Sequence, residues 1–148
     1  MNPDYEAMQN VVLENEAALK AADLERVMAT FAPDPTFDVY PFGLHIAGDE
    51  AAREMFAGML ASGMASFDSR QIGLWVNDEG VIRELVAVLQ GLDEFFGFEI
   101  PEGATAEMHT VNVFLFEGGK IKAERTYFDR SQLLEQFGYS ASFQLRRS

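Results

Sequence analysis

From Glu107 to Gly138 the chain reads EMHTVNVFLFEGGKIKAERTYFDRSQLLEQFG, which predicts a strand, a tight turn, a second strand and a helix in direct succession. Met108, Thr110, Asn112, Phe114 and Phe116 alternate on one face, and the alternation stops at Gly118-Gly119, a pair that tolerates the positive φ values of a hairpin turn. The second strand runs from Lys120 to Phe128. Asp129 is a suitable N-cap for a helix over Arg130 to Phe137, with Leu133, Leu134 and Phe137 on one side and Gly138 as the stop. One face of this hairpin mixes polar groups with aromatics, as the wall of a pocket does.

Upstream, helical spacing of Met8, Val11, Val12, Leu19 and Ala22 predicts a first helix over Asp4 to Ala22, its apolar stripe interrupted by Asn15. Asp23 can cap a second helix from Leu24 to Phe31, which Pro33 and Pro35 end. Thr36 to Tyr40 reads as a short strand, PFGLHIAG as a turn-rich crossing, and Asp49 as the start of a third helix with Ala52, Met55, Phe56, Met59 and Leu60 inward. Phe67 to Val76 and Val81 to Gly91 then pair across Asn77-Asp78-Glu79-Gly80. Leu92 to Ala104, with three phenylalanines beside Gly and Pro, is a loop that either tucks against an apolar opening or closes one end of the core. Helices first and strands after them imply α+β, with the three N-terminal helices covering one face of a curved antiparallel sheet.

A chain of 148 residues, 48% hydrophobic, suits one domain spanning 1–148 with a substantial core. No apolar run is long enough for a membrane span, and MNPDYEAMQN lacks the basic and apolar regions of a signal peptide, so the expected location is cytoplasmic. The absence of cysteine excludes disulfides and thiolate chemistry. A net charge of −13 disfavours nucleic acid and anionic membranes as partners, because its field repels phosphate. The chain contains no HExxH, GxGxxG or GxxxxGK and no acidic cluster at ligand spacing, so neither a metal nor a nucleotide cofactor is expected.

The segments AALKAADLERVMATFAPDPTFDVYPFG, FFGFEIPEG and FEGGKIKAERTYFDRSQLLEQFG, in this order, resemble the nuclear transport factor 2-like superfamily, in particular its SnoaL-like polyketide cyclase branch, over nearly the whole chain. The resemblance implies a cone-shaped α+β barrel enclosing a pocket, in a superfamily of isomerases, dehydratases, cyclases, epoxide hydrolases and binding domains. Laid over the limonene-epoxide hydrolases, the relay arginine falls on Arg83 and the two aspartates on Leu85 and Thr126. Laid over the ketosteroid isomerases, the general base falls near Tyr40 and the two oxyanion donors near Asn15 and Asn112, with different residue types at all three. Both comparisons mark the same pocket wall.

The candidate catalytic residues are Tyr40, Arg83, Asn112, Glu124, Asp38 and His45. Asn112 lies among apolar neighbours, where an amide needs partners: it either donates to a ligand oxygen or bonds within the core. Glu124 and Thr126 alternate with Phe128. Glu124 is either a carboxyl with a raised pKa in an apolar cavity or a solvated rim residue, and the acidic composition tips slightly towards the rim. Arg83 can hold an acidic substituent or form an internal salt bridge to Glu124, whereas Glu84, in the opposite phase, belongs outside unless a bulge exchanges the two. The Tyr40 phenol can donate to an oxygen or cap the core. Asp38 is a base only if its strand is shifted by one residue, and a surface carboxylate otherwise. His45 and His109 are the two groups that titrate near neutrality unperturbed. His45 lies in a loop that can swing towards a ligand, and His109 is out of phase with Asn112 and faces outward.

Asn15, Trp75, Leu85, Phe114, Thr126 and Phe128 complete the candidate substrate-binding set, though aromatics of this kind are more often core than ligand platform. The expected function is cofactor-independent acid–base chemistry by a lyase, isomerase or cyclase on a hydrophobic, aromatic or polycyclic small molecule. The alternatives are an epoxide hydrolase-like enzyme or a non-catalytic ligand-binding or dimerising domain. Val111, Val113 and Leu115 make the outer sheet face apolar, which predicts a homodimer.

Overall fold

A computed structural model describes residues 3–63 and 68–140. Helix α1 (Pro3–Lys20) and the short α2 (Leu24–Ala29) lead into strand β1 (Phe31–Val39), a 3-10 turn (Tyr40–Phe42), β2 (Leu44–Ala47) and α3 (Asp49–Ser62). The second half holds β3 (Ser69–Asn77), β4 (Gly80–Gln90), the two-residue strands β5 (Glu94–Phe95) and β6 (Phe98–Glu99), β7 (Thr105–Glu117), β8 (Lys120–Phe128) and α4 (Arg130–Gln136). Asp23 and Asp129 cap α2 and α4, each accepting from the backbone N–H three residues on. Among the described residues no helix is long and apolar enough to cross a membrane.

Six strands form one sheet in the order β2-β1-β8-β7-β4-β3, and β5 and β6 form a separate hairpin. The α+β class and the sheet against N-terminal helices are as expected, with one difference: β1 runs parallel to β8, and the other pairings in the sheet are antiparallel. The parallel pair arises because α2 delivers the chain to the free edge of the β7–β8 hairpin.

Three local expectations change. The first strand begins at Phe31 rather than Thr36, and the two prolines lie within it. Its pairing with β8 shifts between Phe31 and Thr36, and Asp34 has a φ of +52°, an irregularity that lets a strand hold proline. The PFGLHIAG crossing contains β2, which pairs with β1 from Val39↔Leu44 to Thr36↔Ala47. The phenylalanine-rich loop contains the β5–β6 hairpin. The expected strand start at Phe67 lies outside the described residues.

Each long hairpin carries one register shift, between Gln71 and Gly73 on β3 and between Leu115 and Phe116 on β7, and away from these the expected phase holds. At the β3–β4 turn, Asn77 Oδ1 accepts from the backbone N–H groups of Glu79 and Gly80, at 2.9 and 3.1 Å. A side chain at Gly80 would place its Cβ 1.8 Å from the Phe114 carbonyl oxygen, so the close β4–β7 approach requires glycine there.

Two apolar clusters flank the inner sheet face. In one, Val12 and Val27 of the helices meet Phe31, Phe37, Phe56, Val81, Phe114 and Ile121, and the rings of Phe31, Phe37 and Phe56 pack with centroids 5.0–5.3 Å apart. In the other, Leu89, Phe95, Ile100, Leu133 and Phe137 close the opposite end. Burial of each such side chain contributes about 1.5–3 kcal/mol, which fixes both ends of the sheet and leaves its middle open.

Candidate active site

A cavity of about 500 Å³ occupies that middle, lined by members of both clusters: Val12, Phe37, Phe56 and Phe114 from one, Ala87, Phe95 and Met108 from the other. Its walls are mainly apolar, as small-molecule pockets are. Lys20, Gly58, Ser62 and Glu94 are the exposed members of the lining and mark the side open to solvent.

Register across the sheet places the polar groups. Arg83 on β4 pairs with Asn112 on β7, and Asn112 with Thr126 on β8, so their side chains form one inward row. Glu124, two residues before Thr126, lies on the same face opposite Phe114 and Phe37. Asn112 Nδ2 donates to Thr126 Oγ1 at 2.9 Å and lies 3.5 Å from Glu124 Oε1, the outer limit of a hydrogen bond. The Asn112 amide is therefore partnered within the protein while it lines the cavity. Among the described residues no buried side-chain nitrogen or oxygen lacks a partner.

Glu124 is the main departure from expectation. It is not a solvated rim residue: protein encloses its carboxyl group, which lines the cavity, and burial pushes it up to about 7. The side chain keeps some accessible surface, and the cavity is what that surface adjoins. Desolvation disfavours the carboxylate, and the weak donor at Asn112 does little to offset it. Arg83 does not pair with Glu124 either.

Arg83, 7% exposed, reaches instead to helix α1. Its Nη2 donates to Glu16 Oε2 at 2.5 Å and its Nε to Gln71 Oε1 at 2.9 Å. Lys20 Nζ and Ser69 Oγ meet the other Glu16 oxygen at 2.9 and 3.0 Å. Burial pushes the Glu16 carboxyl up, but the bonds from Lys20, Arg83 and Ser69 together outweigh it and hold the group below the usual carboxylate range. Arg83 and Lys20 thus place two cations on the one Glu16 carboxylate at the cavity wall, in a strongly acidic chain. Glu16 was not among the sequence candidates. Its only local signal was the i,i+4 spacing to Lys20 at the edge of the α1 stripe.

Leu85, Phe114, Thr126 and Phe128 line the cavity. Asn15 also lines it, and its Nδ2 donates to Thr30 Oγ1 at 2.9 Å while that hydroxyl donates to the Val27 carbonyl, so its amide joins α1 to the end of α2. The Arg83 and Glu84 phases are settled by register: Glu84 pairs with outward-facing Val111. His109 is exposed.

Three candidates lie elsewhere. Tyr40 is 51% exposed and stacks on Tyr127 with centroids 4.7 Å apart, because the 3-10 turn carries it to the outer side of the sheet. A hydrogen bond with Tyr127 raises its phenol above the ordinary range. Trp75, 55% exposed, projects from the outer face of β3 and folds over Gly73. His45 is exposed and its Nδ1 meets Asp38 Oδ1 at 2.6 Å across the β1–β2 pair. Asp38 borders the cavity, but Phe37 takes the inward phase and the Asp38 carboxylate is occupied by His45. Phe96, Met55 and Met59, read in the sequence as a loop aromatic and as inward helix positions but not as site residues, line the cavity from the β5–β6 turn and α3. Among the described residues no three His, Asp or Glu side chains converge where a metal could be held.

Comparison with known proteins agrees with this architecture. Residues 14–124 match the model of the SnoaL-like domain. No curated protein matches the chain. Among solved structures, a candidate SnoaL-like polyketide cyclase from Jannaschia sp. CCS1 superposes with a TM-score of 0.80 at 17% identity, covering 95% of this chain and 98% of that one. An LEH-like epoxide hydrolase from M. tuberculosis gives 0.71 at 18% identity, over 91% and 92%. A protein of ketosteroid isomerase-like fold from Catenulispora acidiphila DSM 44928 gives 0.68 at 18% identity, over 91% and 97%. At these identities the likeness is one of fold. With a family match across residues 14–124 and the same architecture in its structural neighbours, the chain belongs to the SnoaL-like domain family.

Proposed function

We propose that this protein is a cofactor-independent enzyme that moves protons on a hydrophobic, aromatic or polycyclic small molecule held in the cavity. The observation that carries this reading is Glu124: a carboxyl enclosed by apolar walls and raised to about 7 is poised to accept and return a proton at neutral pH. Asn112 beside it stabilises negative charge developing on a substrate oxygen, and Arg83 with Lys20 orients an acidic or electron-rich substituent at the far side. Strand spacing and register put the Glu124 and Arg83 backbones about 12 Å apart on one sheet face, with room between them for a ring system. The chemistry that suits this set is isomerisation, elimination or cyclisation. Epoxide opening is the less favoured variant, since Leu85 and Thr126 stand where the hydrolase relay has aspartates.

The test is incubation of the purified protein with aromatic ketones, epoxides and diaryl compounds, followed by chromatography and mass spectrometry. Isomerisation leaves mass unchanged, so retention time is essential. A product formed by wild type and lost in Glu124→Gln supports the reading. Retention of a compound without conversion, with affinity independent of pH, supports a binding domain instead. Homodimerisation through the outer face is part of the proposal, because Ile82, Trp75 and Tyr127 are exposed there beside Val111 and Val113. Light scattering that finds a monomer at high concentration counts against it.

A further inference from the structure

We propose that Phe96 is the specificity-determining gate of the cavity, retaining ligands with a planar aromatic ring over saturated ones of the same size. This rests on the aromatic-ligand reading above. Phe96 and Gly97 form the two-residue turn between β5 and β6, with φ values of +48° and +85°. A turn with both central residues at positive φ favours Asn-Gly, and a bulky side chain in the first position is held against its conformational preference. Turn formation therefore does not explain a phenylalanine there.

The hairpin also has anchors other than this ring, although Phe96 packs with Phe42 against the same apolar cluster. Phe95 is one such anchor, 2% exposed, with its ring 6.2 Å from Phe128 and 6.5 Å from Phe137. The hairpin is further tied by Ile100 N–H to the Asp93 carbonyl at 2.8 Å, by Gly97 N–H to Glu94 Oε1 at 3.2 Å, and by the Tyr139 hydroxyl to the Glu99 carbonyl at 2.7 Å. None of these contacts uses the Phe96 ring.

The ring instead stacks on Phe42, with centroids 4.6 Å apart and planes at 21°, and meets Phe95 edge-on at 4.9 Å. It remains half-buried and lines the cavity two residues from Glu94, on the side open to solvent. Phe42 braces one face of the ring, Phe95 meets it edge-on, and part of what remains lines the cavity. A flat ligand ring gains an aromatic contact at this position that a puckered ring does not.

The experiment compares 2-naphthol with decahydro-2-naphthol, matched in size and hydroxyl but not in planarity, by calorimetric titration of wild type, Phe96→Asn and Phe96→Tyr. Wild type is expected to prefer 2-naphthol. Phe96→Asn loses on the order of tenfold in affinity for 2-naphthol and little for the saturated alcohol. Phe96→Tyr, which keeps the ring, keeps the preference. Because Asn suits the turn, the gain there offsets part of the packing lost with the ring, and Phe96→Asn is expected to melt within about 4 °C of wild type. Unchanged discrimination in Phe96→Asn overturns the gate and leaves the aromatic-ligand reading standing. A Tm lower by more than about 4 °C makes the ring a packing residue and also overturns it. Wild type that binds neither probe overturns the aromatic-ligand reading, and the gate with it.

Discussion

Asn112 Nδ2 and Glu124 Oε1 lie 3.5 Å apart on adjacent strands, with Thr126 Oγ1 2.9 Å from the same nitrogen. Asn112 is committed to the hydroxyl and only grazes the carboxylate, so burial governs the ionisation of Glu124. A shorter bond from the amide would favour the charged form and oppose the rise that burial causes.

The raised pKa sets the sign of one pH effect. In the unfolded chain Glu124 titrates near 4.5 and in the folded protein near 7, so between these values the folded state holds the extra proton. Its contribution to stability falls as pH rises from about 4.5 to about 7 and is constant above, where burying the charge costs about 3 kcal/mol. Glu124→Gln removes this cost. Urea unfolding at pH 5 and pH 8 is expected to show the variant gaining on wild type as pH rises, and parallel profiles would contradict the burial.

Asn112→Leu removes the donor nearest the reacting end. Turnover of an identified substrate is expected to fall about 100-fold in kcat, as for the loss of an oxyanion donor. Steady-state kinetics checks this. A rise in KM alone would make Asn112 a binding group without a part in charge stabilisation.

Arg83 and Glu16 are coupled across 67 positions of sequence. Arg83→Met is expected to destabilise by about 2 kcal/mol, because Glu16, partly exposed, loses a charge-assisted hydrogen bond but keeps Lys20 and Ser69. Arg83→Met with Glu16→Gln is expected to lose less than the sum of the two single changes. Additive losses in a double-mutant cycle would show that the pair contributes nothing as a pair.

Tyr40 stacks on Tyr127 outside the cavity. Tyr40→Phe is expected to leave turnover within about twofold of wild type, since its hydroxyl touches no reacting group. A large loss of kcat with unchanged Tm would place the phenol in the chemistry after all.

Much of the fold was legible because alternation and turn residues act locally. Period two put Asn112 and His109 on opposite faces and Arg83 and Glu84 on opposite faces, with a bulge able to exchange the last two, and the register pairs Arg83 with Asn112 and Asn112 with Thr126. What local pattern does not carry is the environment each inward residue meets. Glu124 is enclosed because Phe37 arrives on the parallel strand β1, and that pairing joins segments at opposite ends of the chain. Glu16 was missed for the same reason, as its partners Ser69 and Arg83 come from β3 and β4. Tyr40 was misplaced because the Pro-Phe-Gly turn after β1 changes direction, which residue spacing does not report. The β5–β6 hairpin was hidden by strands of two residues and by a phenylalanine where the turn favours asparagine.

The most direct test of the account is a carbon-13 NMR titration of the Glu124 carboxyl, assigned by comparison with Glu124→Gln. A midpoint near 7 is expected, together with a pH–rate profile for any identified substrate that breaks at the same place. A midpoint near 4.5, that of a solvated glutamate, would contradict the enclosure of this carboxyl and the proton transfer assigned to it.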